Sequence, residues 1–134
     1  MIVVDTNVIS YFYLAGERSE QAQQAMQKDP EWAVPRLWRS EFRNVLVLQV
    51  RSRHLTLEEA QDLIEESIRL MSQREFDVRS AHVLRLATES GCTAYDCEFV
   101  ALAQDLNVRL VTVDTQLLAA FPDVAISLDE YVAA

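Results

Sequence analysis

The chain has 134 residues, half of them hydrophobic, which suits one domain with a full core. No apolar run approaches a membrane span and no basic segment precedes an apolar one at the start, so neither a membrane helix nor a signal peptide is expected. The formal net charge of −9 argues against non-specific binding to polyanions. The twelve cations are, however, eleven Arg and one Lys, and the planar guanidinium is the better phosphate ligand, so a specific RNA stays open.

Ile2-Val3-Val4 is a short apolar, β-favouring run that stops at Asp5, as a strand covered on both faces would. Val8 to Leu14 reads as a helix, capped by Thr6 or Asn7 and ending near Gly16. It is apolar almost all round and is expected to expose part of that surface. Ser19 to Lys28 reads as a polar helix with Ala22, Ala25 and Met26 on one side, stopped by Pro30. Trp32-Ala33-Val34 is a strand stopped by Pro35.

The longest helix is expected from Leu37 to Arg53. Thr56 and Glu59 form a capping box that opens another, to about Met71. Glu75 to Val78 is a brief strand or an extended link. Helices follow from Ser80 to Glu89, closed by Gly91, and from Thr93 to about Leu106. Leu110 to Val113 is a second apolar strand ending in an acid, Asp114, followed by a short helix around Gln116–Phe121 and a last strand near Val124–Leu128. Strands alternating with helices predict an α/β fold in three layers, α/β/α, with a central, mainly parallel sheet of four or five strands in one domain over residues 1–134. Cys92 and Cys97 are too few for a disulfide framework and suit buried free thiols in a reducing cytoplasm.

Asp5 and Asp114 both end strands, which in a parallel sheet puts them on the carboxyl edge where open α/β folds bind ligands. Two helical acids sit among apolar neighbours. Glu41 shares a stripe with Leu37, Trp38, Val45 and Leu48, and Asp96 one with Phe99, Val100 and Ala103. Each has a plainer reading: Asp96 as the acid of a capping box begun by Thr93, Asp114 as a helix cap, Asp5 as a turn former, Glu41 as half of a buried salt bridge. Together they read differently. Two charges about 4 Å apart repel by roughly 4 kcal/mol at an effective dielectric near 20, so four converging carboxylates imply a cation. Oxygen-only ligands point to Mg²⁺ or Mn²⁺, and no Cys or His joins the pattern to suggest zinc.

The order of these motifs resembles the PIN-domain ribonucleases, in a size close to the VapC-type toxins of toxin–antitoxin pairs. The resemblance rests on Val4-Asp5-Thr6-Asn7, on Glu41 within the Trp38–Leu48 helix, on Tyr95 to Ala103 around Asp96, and on Thr112-Val113-Asp114-Thr115-Gln116-Leu117. It implies a metal-dependent endoribonuclease with Asp5, Glu41, Asp96 and Asp114 around one or two ions and Thr112 supporting the last acid, with Thr6 beside the first. Glu98 stands where some relatives carry a further acid; two residues on, it points away from Asp96 and is left out. The resemblance also implies an antitoxin, expected to lie over the Val8–Leu14 helix, and a homodimer, for which Leu46 and Val50 offer a second apolar face on the long helix. Arg36, Arg39 and Arg43 share one face of the helix that carries Glu41 and are candidates for positioning RNA. His54 and His82 read as solvated.

A haloacid-dehalogenase-like phosphatase needs a second acid where this chain has Asn7, and a receiver domain needs a late Lys where the only Lys is Lys28. The rival of another class is a PIN-like module that binds or assembles without cutting.

Overall fold

The computed structural model describes residues 1–134. Five strands form one all-parallel sheet in the order β3-β2-β1-β4-β5: β1 Ile2–Val4, β2 Trp32–Pro35, β3 Glu75–Phe76, β4 Leu110–Thr112 and β5 Ala125–Ser127. The α/β reading and the parallel sheet are borne out. β1 takes the middle because its run is apolar without interruption. Val3 and Val4 are wholly buried, with helices covering both faces. It pairs with β2 through Ile2 and Val3 and with β4 through Val3 and Val4, so Asp5 and Asp114 emerge from adjacent strands on one edge.

Eight helices flank the sheet: α1 Thr6–Tyr13, α2 Ser19–Lys28, α3 Trp38–Arg51, α4 Leu57–Leu70, α5 Ser80–Ser90, α6 Ala94–Leu106, α7 Thr115–Ala120 and α8 Leu128–Ala133. The capping box at Thr56 and Glu59 is present, with both reciprocal hydrogen bonds. α5 ends where Gly91 takes a φ of 75°. Cys92 and Cys97 are both free and buried.

Four local expectations are corrected. The expected last strand ends at Ser127, whose side chain accepts from Glu130 N and starts α8, a helix the sequence reading lacks. α1 does not offer a broad apolar face. Val8 and Ile9 enter the core, Phe12 packs edge-on to Trp32 at 5.3 Å, and Tyr13 lies 5.9 Å from Phe42. α3 is rotated from the expected stripe: it buries Trp38, Phe42 and Leu46, while Leu48 is 53% exposed. Phe42 fills core space that Leu48 does not reach, and this leaves Glu41 at the border of the buried face. His82 is buried rather than solvated, its Nε2 2.7 Å from Gln104 Oε1 on α6.

Candidate active site

Asp5 is the residue at which β1 becomes α1. Its backbone N–H donates to the Val111 carbonyl on β4, and its own carboxylate caps α1 by accepting from Thr6 N at 2.7 Å. The other oxygen, Oδ2, accepts from Thr112 Oγ1 at 2.8 Å and from Asn7 Nδ2 at 3.4 Å. Thr112 is fully buried at the end of β4, and its hydroxyl also accepts from Asp114 N at 3.0 Å. One threonine thus ties both strand-end acids together. Glu41 reaches the same edge from α3, where its Oε1 accepts from Thr6 Oγ1 at 2.7 Å.

Asp96 lies in the first turn of α6. Thr93 caps that helix by accepting from Asp96 N, but no hydrogen bond runs from Thr93 N back to the Asp96 carboxylate, so the box is only half made. Asp114 does cap α7: its Oδ1 accepts from Gln116 N and Leu117 N at 2.8 and 3.2 Å. Asp114 Oδ2 and Glu41 Oε2 have no partner in the protein. A structural role and an open oxygen therefore coexist on the same side chain.

All four acids line one open cavity of about 470 Å³, together with Thr6, Asn7, Ser10, Tyr11, Asn44 and Val45. No Lys or Arg lines it. Burial, opposed by the bonds from Thr112 and Thr6 and reinforced by the charges of Glu41 and Asp96, pushes Asp5 up from 3.8 to about 7. Burial also raises Glu41, against its bond from Thr6, with Asp96 and Glu98 adding repulsion. Asp96 is raised by burial and then by Asp114. Glu98 stands outside the cavity yet its charge is felt at Glu41.

As the side chains stand, no three carboxylates are close enough together to grip one ion. The chemistry of the donors nonetheless suits a hard divalent cation. The cavity offers oxygen ligands only, it concentrates negative charge without a protein cation, and Asn7 Oδ1 is a buried acceptor with no partner.

The expected RNA-positioning arginines are engaged elsewhere. Arg39 forms a two-pronged pair with Glu75 on β3 at 2.6 and 2.7 Å, and Arg36 pairs with Asp77 at 2.8 Å. Arg43 donates to the Arg39 carbonyl and lines an apolar groove between α3 and α4. Asn7 and Asn44 also line the cavity without having been expected among the site residues; Asn44 sits one turn after Glu41 on the same side of α3. That spacing was the available signal.

Comparison with known proteins bears on the family and the fold. The PIN domain family matches residues 2–124. The chain is 36% identical over 126 residues to Ribonuclease VapC3 of Pyrobaculum aerophilum, covering 90% of this chain and 95% of that one. The crystal structure of PAE2754 from the same organism has a similar fold, with a TM-score of 0.77 at 22% identity, covering 98% of this chain and 93% of that one. A protein of a toxin–antitoxin complex from Klebsiella pneumoniae superposes with a TM-score of 0.68 at 22% identity, over 96% and 98% of the two chains. With the family match spanning most of its length and Ribonuclease VapC3 covered almost end to end, the chain belongs to the PIN-domain family.

Proposed function

We propose that the protein is a Mg²⁺- or Mn²⁺-dependent endoribonuclease, the toxin of a toxin–antitoxin pair acting in the cytoplasm. The observation that carries this is the meeting of Asp5, Glu41, Asp96 and Asp114 at one cavity from four separate elements. The kinship with Ribonuclease VapC3 supports it.

These four residues would hold the ion, which when bound acidifies a water and screens the charge of the scissile phosphate. The chain's own contribution is order. Thr112 holds Asp5, Thr6 holds Glu41 and the cap on α7 holds Asp114, so three of the four carboxylates are anchored and the remaining oxygens would draw together around a bound ion. Water adds to phosphorus in line, the P–O bond to the leaving nucleotide breaks, and the water's proton passes to a carboxylate. Glu41 suits that role, because its Oε2 is unpartnered and burial raises its affinity for a proton.

Two protein partners complete the proposal. A homodimer would cover the outer side of α3; Leu46, expected on that face, is buried in the core, and Val47 and Leu48, 41% and 53% exposed, stand there instead. An antitoxin remains the expected inhibitor, and at α1 the half-buried Tyr11, Phe12, Tyr13 and Leu14 are the side chains it would meet. Light scattering at tens of micromolar is expected to give a dimer mass. Expression without the native partner is expected to arrest growth.

Mixed RNA incubated with Mg²⁺ or Mn²⁺ is expected to be cut internally, with chelator and Asp5→Asn each abolishing cleavage. Binding of RNA with no metal-dependent cleavage would instead favour a silent binding module.

A further inference from the structure

Resting on the nuclease reading above, we propose that Arg18 is the phosphate ligand for the RNA strand where it leaves the acid cavity, and that the ring of Tyr11 holds its guanidinium there.

The acid cavity contains no cation, yet a polyanion must cross it. A second polar cavity of about 390 Å³ abuts it, and the two share Ser10, Tyr11 and Val45 as common wall. Arg18 lines the second cavity. Its guanidinium carbon lies 5.7 Å from the centroid of the Tyr11 ring, within cation–π range. Tyr11 lines both cavities and therefore stands between the carboxylates and Arg18.

Several other cations already have partners. Arg36, Arg39 and Arg79 pair with acids, and Lys28, Arg74 and Arg109 donate to backbone carbonyls. Neither cavity is lined by any other Lys or Arg. Arg18 has no ion pair, although Glu17 lines the same cavity, and its side chain makes no cap bond to α2. An exposed arginine held on an aromatic face loses less freedom on meeting a phosphate than one that swings in solvent. The geometry thus gives the strand one fixed positive contact beside four negative residues, which sets the direction in which it lies.

The test uses the full chain and a fluorescein-labelled single-stranded RNA of mixed sequence. Cleavage is followed by KM and kcat, and binding by anisotropy on the cleavage-dead Asp5→Asn protein in chelator. Arg18→Gln is expected to raise both KM and Kd roughly tenfold, with kcat within about twofold, as loss of one charge-assisted phosphate contact would. The salt dependence of log Kd should become shallower by about 0.7. Tyr11→Leu should weaken binding about threefold or more while Tyr11→Phe stays within about twofold of wild type, since Phe keeps the ring face. Arg85→Gln, on the exposed side of α5, removes the same charge elsewhere and should change nothing. Equal effects of Arg18→Gln and Arg85→Gln, or of Tyr11→Leu and Tyr11→Phe, would overturn the assignment. If the wild type cuts RNA and Arg18→Gln matches it, only this assignment falls. If the wild type neither cuts nor binds RNA, the nuclease reading falls first and takes this one with it.

Discussion

Replacing Asp5 by Asn asks whether the buried acid is held at a cost that a proton or cation relieves. In the unfolded chain this carboxyl ionises near 3.8, and in the folded chain near 7. Below about pH 4 it is protonated in both states and costs nothing. Between the two values the folded chain holds more protons than the unfolded one, so stability falls as pH rises, and the full penalty is present above 7. From pH 5 to pH 8 the loss works out at roughly 2.5 kcal/mol for the wild type in chelator. Asn cannot ionise, so the variant should lack that slope. The amide also presents an N–H₂ to one of the donors that Asp5 now accepts from, Thr112 Oγ1, Asn7 Nδ2 or Thr6 N. That mismatch costs the same at every pH. The informative quantity is therefore the change in the wild-type-minus-variant difference between pH 5 and pH 8, read from urea unfolding curves with equal m-values. Added Mg²⁺ or Mn²⁺ should restore the wild type at pH 8, less so as pH falls through about 7, and should leave the variant nearly unmoved. A difference that stays constant across the range would refute the claim that Asp5 is ionised against its surroundings.

Asp96→Asn and Glu41→Gln should each raise the melting temperature in chelator at pH 8, lose much of the metal-induced rise, and cut cleavage by orders of magnitude. A lowered melting point in chelator with the metal response intact would make Asp96 a structural acid. Asp114→Ala should cost about 1 kcal/mol through the lost α7 cap whereas Asp114→Asn should cost a few tenths. Both should lose activity, and urea titration beside an RNA cleavage assay separates the two roles. Glu75→Ala should cost about 2–3 kcal/mol, because it strands the Arg39 guanidinium and the buried Trp38 Nε1, while kcat stays near wild type. A comparable loss in kcat would return Arg39 to the substrate.

The acids were legible because each violates a local rule in a way the chain pattern exposes. Asp5 and Asp114 end apolar runs, and Glu41 interrupts the apolar side of a helix. The rotation of α3 was not legible, since Phe42 and Leu48 are equally apolar and only the shape of the core around Trp38 and Tyr13 chooses between them. The ion pairs of Arg36 and Arg39 were not legible either. Their partners Asp77 and Glu75 lie more than thirty residues away, on and after a strand of two residues that no periodicity announces. Tyr11 fell inside an expected helix and Arg18 between two, and no pattern in the sequence links them; the link is the pair of cavities that share Tyr11 as wall.

The bond from Thr112 to Asp5 spans 107 positions of sequence. During synthesis Asp5, Glu41 and Asp96 are all made before β4 exists, and β1 has a partner on only one side until then. Loop-closure entropy makes such a distant pairing slow to form. A nascent or truncated chain that stops before Arg109 therefore carries three of the four acids without the strand that grips the first of them. The acid-lined cavity is therefore completed late in folding, by the docking of a three-residue strand.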